Sequence, residues 1–228
     1  MLSHLAEPVF LPIFVALTII NMKLSKLFLL ASVLVAAACA PKQQEAAEPS
    51  ALDVIFSRKS VRSYTDQAVS DQQIETMLRA AMAAPTGMNV QPWRFVVVRD
   101  QAAKDALAGP RGGMIAQAPV VFVVCGETTM MRKPWGQPDA EAVEVENGNW
   151  ALDCSAAAEN LLLAAEALGL GAVWTAAYPY EDRMGPVREA LGLPANVTPL
   201  CVIPCGYPAG DDQPKDKWKP ENIHYDKW

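Results

Sequence analysis

Apolar and polar positions divide the chain into three regimes. Residues 9–20 and 27–38 are apolar runs on either side of a short polar stretch that carries Lys23 and Lys26. Neither run reaches the ~20 residues a helix needs to cross a bilayer. Residues 40–49, APKQQEAAEP, hold two prolines and no apolar period, which describes a tether. From Ser50 to the C-terminus apolar residues recur at helix and strand spacings, and this stretch is the folded domain.

The domain opens with a short helix. Ser50 suits its N-cap, Asp53 favours the first turn and Phe56 closes it, so the chain is delivered into a loop at Arg58. A second helix begins with the capping box Ser70-x-x-Gln73. It carries Ile74, Met77, Leu78, Ala81 and Met82 on one stripe until Pro85 stops it. Residues 94–99 read as a buried strand, 101–107 as a short helix and 118–125 as a second central strand. Residues 126–149 are polar and irregular, the composition of a surface insertion or a lid. Residues 150–168 are apolar around most of a helical circumference, which fits a core helix at a subunit interface. A strand at 172–175, a helix at 181–191 and an apolar strand at 197–205 follow. A charged tail from Asp211 carries Trp218, Tyr225 and Trp228. Helices and strands follow no regular βαβ rhythm and there are no internal repeats, so the class is α+β.

Composition narrows the chemistry. With 228 residues, 51% of them hydrophobic, and a formal net charge of −6, the chain can bury a core and has no global attraction to nucleic acid. The mean hydropathy of +0.10 is inflated by the N-terminal runs. Lys23 and Lys26 ahead of residues 27–38, then Ala36, Ala37 and Ala38, form a signal-peptide pattern for which Met22 is the natural start. Cys39 follows at once. The junction resembles a bacterial lipobox with Ala36 in place of the usual leucine, which implies an exported chain held to a membrane by lipid on Cys39. A pair of short membrane-embedded helices, or one interrupted signal anchor, is the alternative, and two lysines in mid-span weigh against it.

Cys125, Cys154, Cys201 and Cys205 show no CxxC spacing and read as small buried hydrophobes. Cys201 and Cys205 lie four apart in an extended run, roughly 13 Å, too far for a mutual disulfide. His4 and His224 are the only histidines, so neither a histidine metal site nor a His-based triad is expected.

Two segments carry candidate chemistry. Arg58-Lys59-Ser60-Val61-Arg62 gathers fixed cations around a hydroxyl, a set suited to phosphate oxygens. Residues 84–93, APTGMNVQPW, form a Pro-bounded loop that offers Asn89 and Gln91 beside Trp93, suited to the edge and face of a flat heteroaromatic ring. A basic run alone is usually a solvated face, and a Pro/Gly loop alone is usually an ordinary turn. Their pairing across one helix points to flavin mononucleotide (FMN).

Four separated segments resemble the FMN-dependent nitroreductase family: the Arg-x-Ser-x-Arg run, the Ala-Pro-Thr-x-x-Asn-x-Gln-Pro-Trp loop, the long helix leading to Ala-Leu-Gly-Leu-Gly-Ala-Val-Trp, and a late Gly-Tyr-Pro followed by Lys215 and Lys217. The resemblance covers Ser50 to the C-terminus. It implies an α+β fold with a mostly antiparallel sheet flanked by helices, in a homodimer with exchanged C-terminal tails and FMN at the interface. It assigns Arg58, Lys59 and Ser60 to the phosphate and Arg62 to the N1/C2 edge of the ring. Pro85, Thr86 and Asn89 fall on the loop against the ring. Trp174, Thr175, Ala176 and Ala177 fall on the stretch near N5, with the amides of Ala176 and Ala177 as donors, and Lys215 and Lys217 return to the phosphate. Thr86 departs from the usual serine, Lys217 from arginine and Ala176 from an acidic residue.

The implied reaction is ping-pong hydride transfer from NAD(P)H through flavin N5 to an electron-poor acceptor such as a nitroaromatic or a quinone, with no side-chain acid or base assigned. Oxidase, dehalogenase-like and flavin-fragmenting activities share the pattern. A flavin-carrying electron-transfer module without its own substrate is the alternative, and outside flavins a lipid-anchored interaction domain. An exported enzyme meets little NAD(P)H, which opens the donor's place to a partner protein or a quinol.

Overall fold

The computed structural model describes residues 49–109 and 112–228. The signal segment, Cys39 and the tether up to residue 48 lie outside the described residues. Helices α1 (Ala51–Ser57) and α2 (Asp71–Met82) both start on complete capping boxes. The Ser50 hydroxyl accepts from the Asp53 N–H at 3.2 Å while Asp53 accepts from the Ser50 N–H at 3.0 Å, and Ser70 and Gln73 repeat the exchange. Each box satisfies two backbone donors that a bare helix start would leave orphaned. Helix α2 buries Ile74, Met77 and Ala81 as its stripe predicts, whereas Met82 at its end stays exposed.

Strand β1 (Trp93–Val98) leads through α3 (Gln101–Ala108) and α4 (Gly113–Gln117) to β2 (Val120–Glu127). Helix α5 (Trp150–Ala167), the short strands β5 (Gly171–Ala172) and β6 (Thr175–Ala176), α6 (Glu181–Leu191) and β7 (Val197–Gly206) complete the order once the insertion is passed. The sheet runs β1-β2-β7-β5, with β6 also on β7, and every pairing is antiparallel. Strand alternation sorts β2 between two cores. Val120, Phe122 and Val124 face α2 and α5, while Val121, Val123 and Cys125 face α3, α4 and α6. Helix α5 buries Trp150, Cys154, Ala157, Ala158, Leu161, Leu162 and Ala165 against the first core along one side.

Two departures from the sequence reading have local causes. Residues 126–149, expected to be irregular, contain an antiparallel ribbon of β3 (Thr129–Arg132) and β4 (Val143–Glu146). The strand expected at 172–175 is split into β5 and β6, although both halves keep one register on β7. The break lies opposite Pro204. The Val173 N–H reaches the Pro204 carbonyl at a stretched 3.4 Å, and proline has no N–H to return. Strand β7 also carries a bulge, its register slipping between Val124↔Cys201 and Cys125↔Pro199, so that Leu200 and Cys201 both enter the first core.

The four described cysteines are free and buried, as expected. Burial pushes the thiols of Cys125, Cys154 and Cys205 up to about 12 from an ordinary 9.0 and that of Cys201 well above it. Burial, with Cys205 nearby, likewise holds the Tyr64 hydroxyl well above its ordinary 10.0. Above pH 9 the unfolded chain therefore loses these protons before the folded one does. Stability is full below about pH 9 and falls as the pH rises toward 12, on the order of 2–3 kcal/mol by pH 11 for each thiol raised to about 12. Urea midpoints measured from pH 7 to 11 should decline accordingly, and these four thiols should stay silent to a thiol reagent until unfolding; a flat midpoint would contradict the burial.

Candidate functional site

The basic segment is fixed by backbone before any of its charges act. Arg58 ends α1 with φ −55° and ψ 131°, which turns the chain into extended geometry. Ser60 then bridges Ala172 in parallel, and the Val61 N–H donates to the Ala172 carbonyl at 3.1 Å. Val61 has no exposed surface, and a Cβ on Gly171 would lie 2.6 Å from it, so the approach requires glycine there. The Tyr64 hydroxyl lies 2.7 Å from the Val61 carbonyl and 3.0 Å from that of Pro204. On the far side the Thr65 N–H donates to the Tyr207 carbonyl and the Ala209 N–H to that of Ser63.

The cations of this segment divide. Arg58 meets Glu159 through Nε at 3.3 Å and Lys59 meets Glu166 at 3.2 Å, two acids seven residues apart and therefore on one face of α5. Arg62 has no ion pair among the described residues. It is exposed, and its Nη1 donates to the Ser60 carbonyl at 3.3 Å. Ser60 and Arg62 are thus the members of the predicted set with no carboxylate against them.

Residues 174–177 continue the strand on which this loop is seated, so the fold brings both predicted groups to one edge of the sheet. The Thr175 hydroxyl donates to the Val202 carbonyl. The carbonyl of the bulged Leu200 accepts both the Ala177 N–H at 2.9 Å and the Tyr178 N–H at 3.0 Å. The Ala177 amide, expected at a ring nitrogen together with that of Ala176, is held instead by Leu200. Beside this stretch lies a cavity of about 600 Å³, walled by Trp174, Thr175, Ala176 and Ala177, by Leu107 and Met114 from the α3–α4 corner, and by Arg183 and Pro186 of α6. Its volume suits a small-molecule ligand. Sequence reasoning missed the α3–α4 corner and Arg183. The glycines around residues 109–113 were the available signal for the corner. Arg183 stacks on Tyr180, Cζ 4.4 Å from the ring centroid, and its Nη1 lies 3.5 Å from the Ala176 carbonyl.

Pro85, Thr86 and Asn89 occupy a different place. Their loop is built with Met88, Asn89 and Gln91 at φ values of 53°, 56° and 53°, left-handed backbone that side-chain-bearing residues seldom adopt. It leads into β1, which is separated from β6 by β2 and β7, three strand spacings or roughly 14 Å. Lys215 and Lys217 are not brought to the basic segment either. Both are exposed on the irregular tail, which leaves the body beside Ser63 and carries Trp218, Tyr225 and Trp228 into solvent. Within one chain the predicted residues therefore form one assembled group and two separate ones. Among the described residues no group of acids, cysteines and histidines could hold a metal.

Comparison with known proteins identifies the family of the chain. Residues 55–110 and 106–207 match the family described as Nitroreductase family. A protein provisionally named NADH dehydrogenase/NAD(P)H nitroreductase from Methanothermobacter thermautotrophicus is 39% identical over 179 residues, covering 78% of this chain and 87% of the relative. A crystal structure given the same provisional name, from Bacteroides thetaiotaomicron, is 50% identical with a TM-score of 0.70 over 79% of this chain and 99% of that one. A provisionally named nitroreductase from Desulfovibrio desulfuricans, solved in complex with FMN, is 32% identical with a TM-score of 0.65 over 79% and 99%. By sequence match across most of the domain and by fold, the chain belongs to the nitroreductase family.

Proposed function

We infer that the chain is an NAD(P)H-dependent oxidoreductase that uses FMN, and propose that it works in ping-pong order on an electron-poor acceptor such as a nitroaromatic or a quinone. The observation that carries the reading is that the segment of Ser60 and Arg62 is seated on Ala172, from which the chain runs on into residues 174–177, the wall of the 600 Å³ cavity. The donor set fits the group. A hydroxyl and two guanidinium groups suit a phosphate and an electron-rich ring edge, and the apolar wall suits a flat ring. When bound, FMN supplies two-electron exchange between a reduced nicotinamide and an acceptor. Ser60 and Arg58 would hold its phosphate, and Arg62 would place a fixed positive charge where negative charge gathers on reduction. The Ala176 amide would orient the ring. A carrier without a substrate of its own has no need of a cavity beside that wall.

A homodimer completes this site. The loop of Pro85, Thr86 and Asn89 lies too far across the sheet to close over the same edge, and a second copy can bring its own loop there. Helix α1 supports the same view, with Leu52, Ile55 and Phe56 exposed, the last by 73%, as does Leu152 on α5 at 70%. Tail exchange would cover Trp218, Tyr225 and Trp228 and carry Lys215 and Lys217 to a phosphate. The chain from Ala40 onward, followed at flavin wavelengths in the ultracentrifuge, should sediment as a yellow dimer. A colourless protein that FMN cannot reconstitute ends the cofactor reading, and a yellow monomer ends the shared site.

Arg62→Ala should keep some FMN bound while slowing its reduction by NAD(P)H about tenfold or more, the scale of one lost charge-assisted contact. Unchanged rates in the reductive half-reaction would refute the role of Arg62.

For location we propose export and lipid attachment at Cys39, on the strength of the signal and lipobox pattern. Intact mass of the membrane fraction should show a chain beginning at Cys39 with added lipid; an unlipidated species beginning at Met1 would overturn the assignment.

A further inference from the structure

Besides Glu159 and Glu166, which meet the basic segment, helix α5 carries a third carboxylate that packing does not explain. Asp153 is 7% exposed in the first turn of the helix. Its Oδ1 accepts the Gly87 N–H at 3.0 Å, a contact between residues 66 apart, and its Oδ2 is buried without a partner. A buried carboxylate with one hydrogen bond and no cation is unfavourable compared with an apolar side chain of similar size. Its presence has to be accounted for by what Oδ1 holds.

What it holds is the left-handed loop. The other bonds of that loop are internal: the Asn89 N–H to the Thr86 carbonyl, the Val90 N–H to that of Gly87, the Gln91 N–H to the Thr86 hydroxyl, and the Gln91 side chain to Asn89. They shape the loop as a unit but do not fix it to the body. The Gly87 N–H on Asp153 does so at one end, while at the other Arg94 Nη1 lies 3.5 Å from the Gln91 carbonyl and the Glu127 N–H donates to the Pro92 carbonyl at 2.9 Å. Gly87 is confined further because a Cβ there would lie 2.8 Å from Asn149 Nδ2. Asn149 is placed in turn by Asn147, 3% exposed, whose Oδ1 accepts the Asn149 N–H at 3.2 Å.

We propose that Asp153 is a positioning residue: through Gly87 its carboxylate holds the loop of Thr86 and Asn89 in the strained conformation that presents those residues to the cofactor. The cofactor part rests on the function proposed above, and the hold on the loop does not. Asp153 acts through the loop and touches no reacting atom.

The experiment pairs hydrogen exchange of the cofactor-free full-length chain with FMN titration, for wild type, Asp153→Ala and Asp153→Asn. Asp153→Leu, which fills the space with apolar atoms, replaces the alanine variant should that one not fold. The variant lacking the acceptor should show faster amide exchange confined to residues 86–91, with β2 and β7 unchanged, and FMN binding about tenfold weaker, the scale of one hydrogen bond to a charged acceptor. Asp153→Asn keeps an oxygen for Gly87 and should return both readouts to within about threefold of wild type. Unchanged exchange at residues 86–91, or no rescue by asparagine, would overturn the proposal. Faster loop exchange with unaltered FMN affinity would support the hold on the loop and overturn the placement of that loop at the cofactor.

Discussion

Val61 rests on the bare backbone of Gly171, and the chemistry of the basic segment depends on that contact. No side chain fits between them, so the loop lies against β5 as closely as a strand would, with Val61 bonded to Ala172. Ser60 and Arg62 flank Val61 and are carried to the sheet edge with it. Residues 174–177 reach the same edge because β5 and β6 keep one register on β7 across the gap at Pro204. Two regions more than a hundred residues apart thus become neighbours through one side chain seated on bare backbone and the main-chain bond beside it.

Helix α5 underlies this edge and steadies it in two ways. Its apolar faces fill the core beneath the sheet, and Glu159 and Glu166 meet Arg58 and Lys59. Partly exposed pairs of this kind contribute about 0–1 kcal/mol each. Their effect on stability is small beside that of the buried leucines, which contribute roughly 1.5–3 kcal/mol apiece. They orient two cations without fixing them firmly.

Local rules carried much of this structure into the sequence. Both capping boxes, the α2 stripe and the runs that became β1, β2 and β7 could be read from spacing, since each depends on residues within one or two turns. The pieces of the candidate site were legible as types, an Arg-x-Ser-x-Arg run and an amide-bearing loop, because phosphate and ring chemistry demand those groups. Long-range pairing was not legible. That Pro204 would interrupt the strand opposite it, and that Leu200 would bulge and capture the Ala177 amide, depends on which residues face each other across β7. The β3–β4 ribbon hid behind adjacent Met130 and Met131, which break the alternation of two that marks a strand. Nor could spacing announce that Asp153 would tie itself to a loop 66 residues away. Lys215 and Lys217 were placed by analogy of motif, and no contact within one chain positions them.

The left-handed stretch before β1 bears on how this protein tolerates change. Met88, Asn89 and Gln91 sit where glycine would be the easier residue for the backbone. A substitution to glycine at Asn89 or Gln91 relaxes the main chain and at the same time deletes one partner of the side-chain bond between them, so relief of strain and loss of the loop's internal order are tied to the same atoms. Heat resistance and the set shape of this loop therefore draw on the same two positions.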